Sequence, residues 1–240
     1  MKRILKINTG LTLIFVCSQL ISWSQISFGY RSHFGGMKSY KEIMQYYNEN
    51  RPWLDKEISS SAYMHGYEIG FGGSFNKAGY TLGRFYGQFG KSRAKGTDLN
   101  GDFTRIVRTR IFGIEPFDIW WTPLSVKHIN IGFGVMPLGL QLFKIDTYLK
   151  EDGFERLPIL DVPLYAFKES YMYVNLHLDF TFVKEELYNI HLQFFYTIGP
   201  PQKHNLYRTN QELNPVTHAT FHRRTLMKVN NFGMKLIFSF

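Results

Sequence analysis

Apolar and polar residues alternate with a period of two along much of the chain. The pattern is most regular over the last twelve residues. There Asn230, Phe232, Met234, Leu236, Phe238 and Phe240 share one side, and Asn231, Gly233, Lys235, Ile237 and Ser239 the other. Successive side chains of a strand point to opposite faces, so this spacing predicts an extended segment with one apolar face. Seven further segments repeat it: 26–35, 63–75, 80–91, 102–114, one from His128, 171–183 and 188–199. In 171–183, Met172, Val174, Leu176, Leu178, Phe180 and Phe182 oppose Tyr171, Tyr173, Asn175, His177, Asp179 and Thr181. Each segment reaches the roughly 9–11 residues a tilted strand needs to cross a bilayer.

Two segments leave their phase open. In 80–91 and 102–114, one register puts Arg84 and Gln88, or Arg105, on the apolar face, and a bulge or a rim position would relieve this. Pro137 shifts the phase of the fifth segment, which predicts a bulge or the start of a loop. The connections read in order as long (36–62), tight (76–79), medium (92–101), medium (115–127), long (139–170), tight (184–187) and long (200–228). Long connections mostly alternate with short ones, as when long outer loops and short periplasmic turns join the strands of a membrane barrel. The fourth is the exception, although Trp120 and Trp121 within it suit a periplasmic aromatic girdle.

Composition agrees with apolar residues facing lipid and polar ones facing inward. Among 240 residues, 22 are Phe and 15 Tyr, yet charged residues make up 20% and mean hydropathy is only −0.21. The first 24 residues read as an export leader. Lys2, Arg3 and Lys6 precede an apolar stretch, and Ser22-Trp23-Ser24 offers small residues for cleavage before Gln25. Loss of those three cations lowers the formal charge from +9 to +6 and removes the single cysteine, Cys17.

The Phe-terminated last strand, the eight alternating segments and Gln25 after a small-residue cleavage site resemble the small outer-membrane β-barrels of Gram-negative bacteria. The aromatic-rich style is most similar to Bacteroidetes members. The resemblance spans the mature chain and implies a barrel in the outer membrane. It does not choose among anchors, adhesins, narrow pores, lipid-A-modifying enzymes and secretion accessories. A soluble, lipocalin-like barrel would show the same alternation turned inside out.

Candidate chemistry falls into four groups. The inward-facing polar set is Arg31, His33, Glu68, Asn130, Asn175, His177, Asp179, His191, Gln193 and Lys235, with Arg108 and Arg110 assigned to it as well. A turn centred on Glu185 sets Asp179 opposite His191 and His177 opposite Gln193. These could form a proton-active or metal-binding dyad. The reading adopted is a packed lumen, because a barrel of this size holds little beyond its own side chains and buried charges must be paired. His65, following Ser59 to Ser61, is the rim position a lipid-modifying enzyme would use, but spacing offers no carboxylate to orient it. Ser39 and Glu42 have capping-box spacing, and Tyr40, Ile43, Met44 and Tyr47 share a helical face ending at Asn50 and Pro52. Basic residues gather in the outer connections, with Arg208, Arg223, Arg224 and Lys228 as candidates for binding anions such as lipopolysaccharide phosphate.

The sequence thus predicts an all-β chain: residues 1–24 a signal peptide, and 25–240 an eight-stranded, up-and-down antiparallel transmembrane barrel. A short helix belongs to its first extracellular loop. The leading role is a non-catalytic scaffold or surface-binding protein of the outer membrane that meets lipid, lipopolysaccharide and an envelope protein partner. A lipid-A-modifying enzyme and an accessory subunit of an export complex are the alternatives. No cofactor, metal site or nucleic-acid partner is implied.

Overall fold

The computed structural model describes residues 25–34, 38–59, 63–75, 77–98, 101–150, 154–155, 169–184, 188–199, 202–203, 226–227 and 231–240. The predicted leader, and Arg208, Arg223, Arg224 and Lys228, lie outside them. The chain order is β1 (Gln25–Phe34), α1 (Lys38–Glu49), β2 (Leu54–Lys56), β3 (Met64–Phe75), β4 (Ala78–Asp98), β5 (Gly101–Val126) and β6 (Ile129–Lys150). Then follow β7 (Phe154–Glu155), β8 (Glu169–Lys184), β9 (Asn189–Ile198), β10 (Gln202–Lys203), β11 (Leu226–Met227) and β12 (Asn231–Ser239).

Eight of these strands close into a ring. Neighbours in sequence pair antiparallel from β1 through β3, β4, β5, β6, β8 and β9 to β12. The ring shuts where β12 returns to β1, with Tyr30 opposite Leu236 and Arg31 opposite Lys235. Where all eight strands overlap, the described residues form a closed ring, the condition for exposing β-structure to hydrocarbon.

The sense of the alternation is that of a transmembrane barrel. Tyr67, Phe133, Leu178 and Phe28 stand on the outside at 73, 54, 53 and 51% exposure, whereas Arg31, Glu115 and Asp179 are fully enclosed. A lipocalin-like arrangement needs Leu176, Leu178 and Phe238 inside, and all three are outside.

The connections sort by end more cleanly than the sequence suggests. At one end β3 and β4, β5 and β6, and β8 and β9 are separated by only two, two and four residues. The fourth connection, expected as a loop over 115–127, is strand: β5 runs on to Val126 and turns at Lys127, whose φ is 52°. At the other end, the medium connection expected over 92–101 is mostly a hairpin, because β4 and β5 stay paired out to Asp98 and Gly101. Strand β6 likewise continues to Lys150, into what reads as loop. Bulges explain the ambiguous phases. The pairing of β6 with β8 shifts between Met136 and Gly139, around Pro137. That of β3 with β4 shifts between Phe71 and Gly72. Past that shift Arg84 and Gln88 face inward and Phe85 and Phe89 outward.

Candidate functional site

The middle of the barrel is occupied by ionised side chains that meet one another rather than water. Glu115 of β5 is the hub. Its carboxylate lies 2.7 Å from Arg31 Nη1 of β1, 3.0 Å from Arg84 Nη1 of β4 and 2.9 Å from Lys235 Nζ of β12. Tyr173 and Asn175 of β8 donate hydrogen bonds to its Oε1 at 3.1 and 3.0 Å. One side chain therefore ties four other staves of the ring together. Glu68 of β3 adds ion pairs to Arg84 Nε at 3.3 Å and to Arg31 at 3.7 Å. Asp118 of β5 accepts from Arg84 at 3.2 Å and contacts His177 Nε2 at 2.8 Å. Three cations, Arg31, Arg84 and Lys235, thus stand among three carboxylates, Glu68, Glu115 and Asp118, so the burial of each charge is compensated.

Aromatic rings fill the remaining space. The Arg31 guanidinium lies over Tyr86 at 3.9 Å and Phe195 at 4.7 Å. The Tyr86 and Tyr173 hydroxyls are 2.8 Å apart. Two glycines make room for those rings: a Cβ on Gly113 would collide with Tyr86, and one on Gly139 with Tyr173.

A second, smaller cluster lies nearer the tight-turn end. Gln193 Nε2 donates to Asp179 Oδ2 at 2.8 Å, the Thr181 hydroxyl donates to Oδ1 at 2.9 Å, and His191 Nδ1 lies 3.3 Å from Oδ1. Trp120 packs edge-on against His191, so of the Trp120-Trp121 pair only Trp121, edge-on to Phe133, stands on the outer face.

Of the inward candidates, Arg31, Glu68, His177, Asp179, His191, Gln193 and Lys235 are all buried in the lumen. Their partners differ from the expected ones. Asp179 is opposite Gln193, Thr181 is opposite His191, and His177 is opposite Phe195. Next to the turn Lys184 is opposite Asn189 and Val183 opposite Ile190, three residues from the register of a turn centred on Glu185, and a one-residue shift between Thr181 and Val183 leaves the rest of the hairpin two residues from it. His177 lies over Gly134 of β6 and meets Asp118 of β5 instead of Gln193.

Arg108 and Arg110 require correction. Arg108 is exposed and Arg110 half-buried, on the outward register of β5 in line with Phe112 and Ile114. The inward positions at that level belong to Val107, Thr109 and Ile111, all buried.

Sequence reasoning missed Glu115, Asp118 and Arg84. Residues three apart fall on opposite faces of a regular strand, which disguised Glu115 and Asp118. Glu115 continues the inward parity of Ile111 and Gly113, and the register shifts on both sides of Phe117, next to Pro116, turn Asp118 inward as well. A signal was present: the outward apolar residues switch from even numbers (Phe112, Ile114) to odd ones (Phe117, Ile119, Trp121) across Pro116. Such a parity switch marks a bulge.

Above the network, α1 and the segment after it pack onto the inner side of the projecting β4–β5 wall. Met44 and Tyr47 are fully buried on one helical face. The Tyr47 ring lies under Arg51 at 3.9 Å and Arg105 of β5 at 6.0 Å. Burial pushes the Tyr47 hydroxyl pKa up, against the opposing pull of the two arginines. The helix ends where the Asn50 side chain donates to the Tyr46 carbonyl at 2.8 Å. Asn48 then clamps buried Ile58, accepting from its N–H at 3.0 Å and donating to its carbonyl at 2.9 Å. Ser59 N–H bonds the Ser92 hydroxyl on β4 at 2.7 Å.

His65, the rim histidine, is exposed, stacked on Tyr63 at 5.8 Å and tilted against Tyr30 at 6.1 Å. That is the packing of an aromatic girdle.

No protein-family model matches the chain, and no curated protein matches it significantly in sequence. Among solved structures it is similar to Neisserial surface protein A, with 8% identity, TM-score 0.41, 90% of this chain and 95% of that one covered. It is also similar to Ail, the attachment invasion locus protein of Yersinia pestis, with 12% identity, TM-score 0.33 and coverage of 90% and 97%. Likenesses this distant carry no argument of their own; the closed ring and its inverted polarity do.

Proposed function

We propose that the protein is a sealed, non-catalytic barrel of the outer membrane, delivered by the leader in residues 1–24, that holds its long connections at the cell surface to bind envelope glycolipid or a protein partner. The observation that carries this reading is the interior. Arg31, Arg84, Lys235, Glu68, Glu115 and Asp118 are committed to one another and each is 5% exposed or less, which supports a lumen closed through its middle. The apolar exterior supports insertion in a bilayer, and the division into short-turn and long-connection ends supports an orientation with the short turns in the periplasm. Chemistry directed at other molecules then belongs to the long-connection end.

Single cysteines test topology and export together. On intact cells an impermeant maleimide labels Lys56→Cys, in exposed β2, and leaves Lys127→Cys, in a tight turn, unlabelled until the membrane is broken. The reverse pattern, or recovery of the protein without detergent, overturns the reading. In planar bilayers the purified protein gives no stable conductance steps; a steady open channel contradicts the sealed lumen.

A further inference from the structure

We propose that the outward face of the β4–β5 hairpin, just above the apolar belt, is a binding site for the phosphorylated headgroup of an outer-leaflet glycolipid of the lipid A type. This rests on the orientation proposed above.

Residue parity separates the outward from the inward face of both strands. On β4 the outward positions run Phe85, Phe89, Lys91, Arg93 toward the long-connection end. On β5 they run Ile114, Phe112, Arg110, Arg108 in the same direction. Phe85, Phe89, Phe112 and Ile114 are 42–50% exposed, and the Phe89 and Phe112 rings meet edge to face at 5.9 Å. The belt therefore changes from aromatic to cationic within one step on each of two paired strands. The register brings the charges together: Lys91 is opposite Arg108, and Phe89 is opposite Arg110.

Like charges directly opposite one another on one face of a sheet destabilise it, so a fold that keeps them gains from an anion between them. On the far side of β5 the register partners of Arg108 and Arg110 are Asp146 and Lys144 of β6. Arg108 and Arg110 also have contacts within the protein. Two arginines supply planar forks suited to phosphate oxygens, and Lys91 adds a compact charge. A membrane lipid fits better than a free anion because the same wall continues downward as Phe89 and Phe112, where acyl chains lie. A ligand with phosphate above and hydrocarbon below matches both halves of the face.

The test compares the full-length protein, reconstituted in phosphatidylcholine nanodiscs, with a variant carrying Lys91→Gln, Arg93→Gln, Arg108→Gln and Arg110→Gln. A second control carries Lys77→Gln and Lys127→Gln at the opposite end. Binding of bis-phosphorylated lipid A is measured, with dephosphorylated lipid A and inorganic phosphate as comparison probes. The four-site variant is expected to bind bis-phosphorylated lipid A about tenfold or more weakly, with the control unchanged and the dephosphorylated lipid indifferent to all substitutions. Unchanged affinity, an equal loss in the control, or inorganic phosphate competing as well as the lipid overturns the proposal. All substitutions lie on exposed or half-buried outward or turn positions, and a retained circular-dichroism spectrum confirms folding. If the maleimide pattern holds while lipid binding is unaffected, this inference fails and the orientation stands; a reversed pattern removes both.

Discussion

Two arcs of the same ring are built differently. Strands β9, β12, β1 and β3 have 10, 9, 10 and 12 residues, close to what a bilayer requires. Strands β4, β5 and β6 have 21, 26 and 22 residues and project beyond it. The short arc alternates almost without interruption and contributes Arg31, Glu68, Gln193 and Lys235 to the interior. The long arc is bulged at Pro116 and Pro137 and contributes the hub, Glu115, with Asp118 and Arg84. Regular alternation places a side chain on a face; a bulge re-aims it, and the most connected groups of this lumen sit beside bulges. The projecting wall of the long arc also holds α1 and Tyr47 on its inside and the cationic face on its outside.

The sharpest way to break this contrast is Glu115→Gln. Three cations lose the charge they share, and removing one partner of a buried pair costs about 3–5 kcal/mol. Equilibrium urea unfolding in lipid vesicles, followed by tryptophan fluorescence, should show a loss of that size. A loss within experimental scatter would mean that the network is not what holds the long arc to the short one.

A somewhat smaller effect is expected from Leu178→Arg on outward β8, where a cation placed in the hydrocarbon costs about 2–4 kcal/mol in the same assay. This separates the two sides of the wall, since cations native to the outer face of β4 and β5 lie above the belt. If the substitution is neutral, Leu178 does not face lipid. Smaller again is Gln193→Leu in the short arc. Asp179 then loses one donor but keeps Thr181 and His191, and a hydrogen bond to a charged group is worth about 1.5–3 kcal/mol. Should this substitution cost more than Glu115→Gln, the arcs have been ranked the wrong way round.

Alternation along the chain was enough to set the eight ring strands, their antiparallel succession and the face of the short-arc residues, because a period of two is a local property of extended backbone. It also placed Arg31, Glu68, His177, Asp179, His191, Gln193 and Lys235 inside, and a helix near 39–50. Which of these side chains meet depends on how the strands pair in the closed ring. A hairpin register two residues from the predicted one puts Asp179 opposite Gln193 and leaves His177 to meet Asp118, and no local pattern records that register. Tertiary structure also brought Glu115, Asp118 and Arg84 into the centre and put Arg108 and Arg110 outside. Bulges are settled by how neighbouring strands pair once the ring has closed, and each one inverts the faces of everything beyond it.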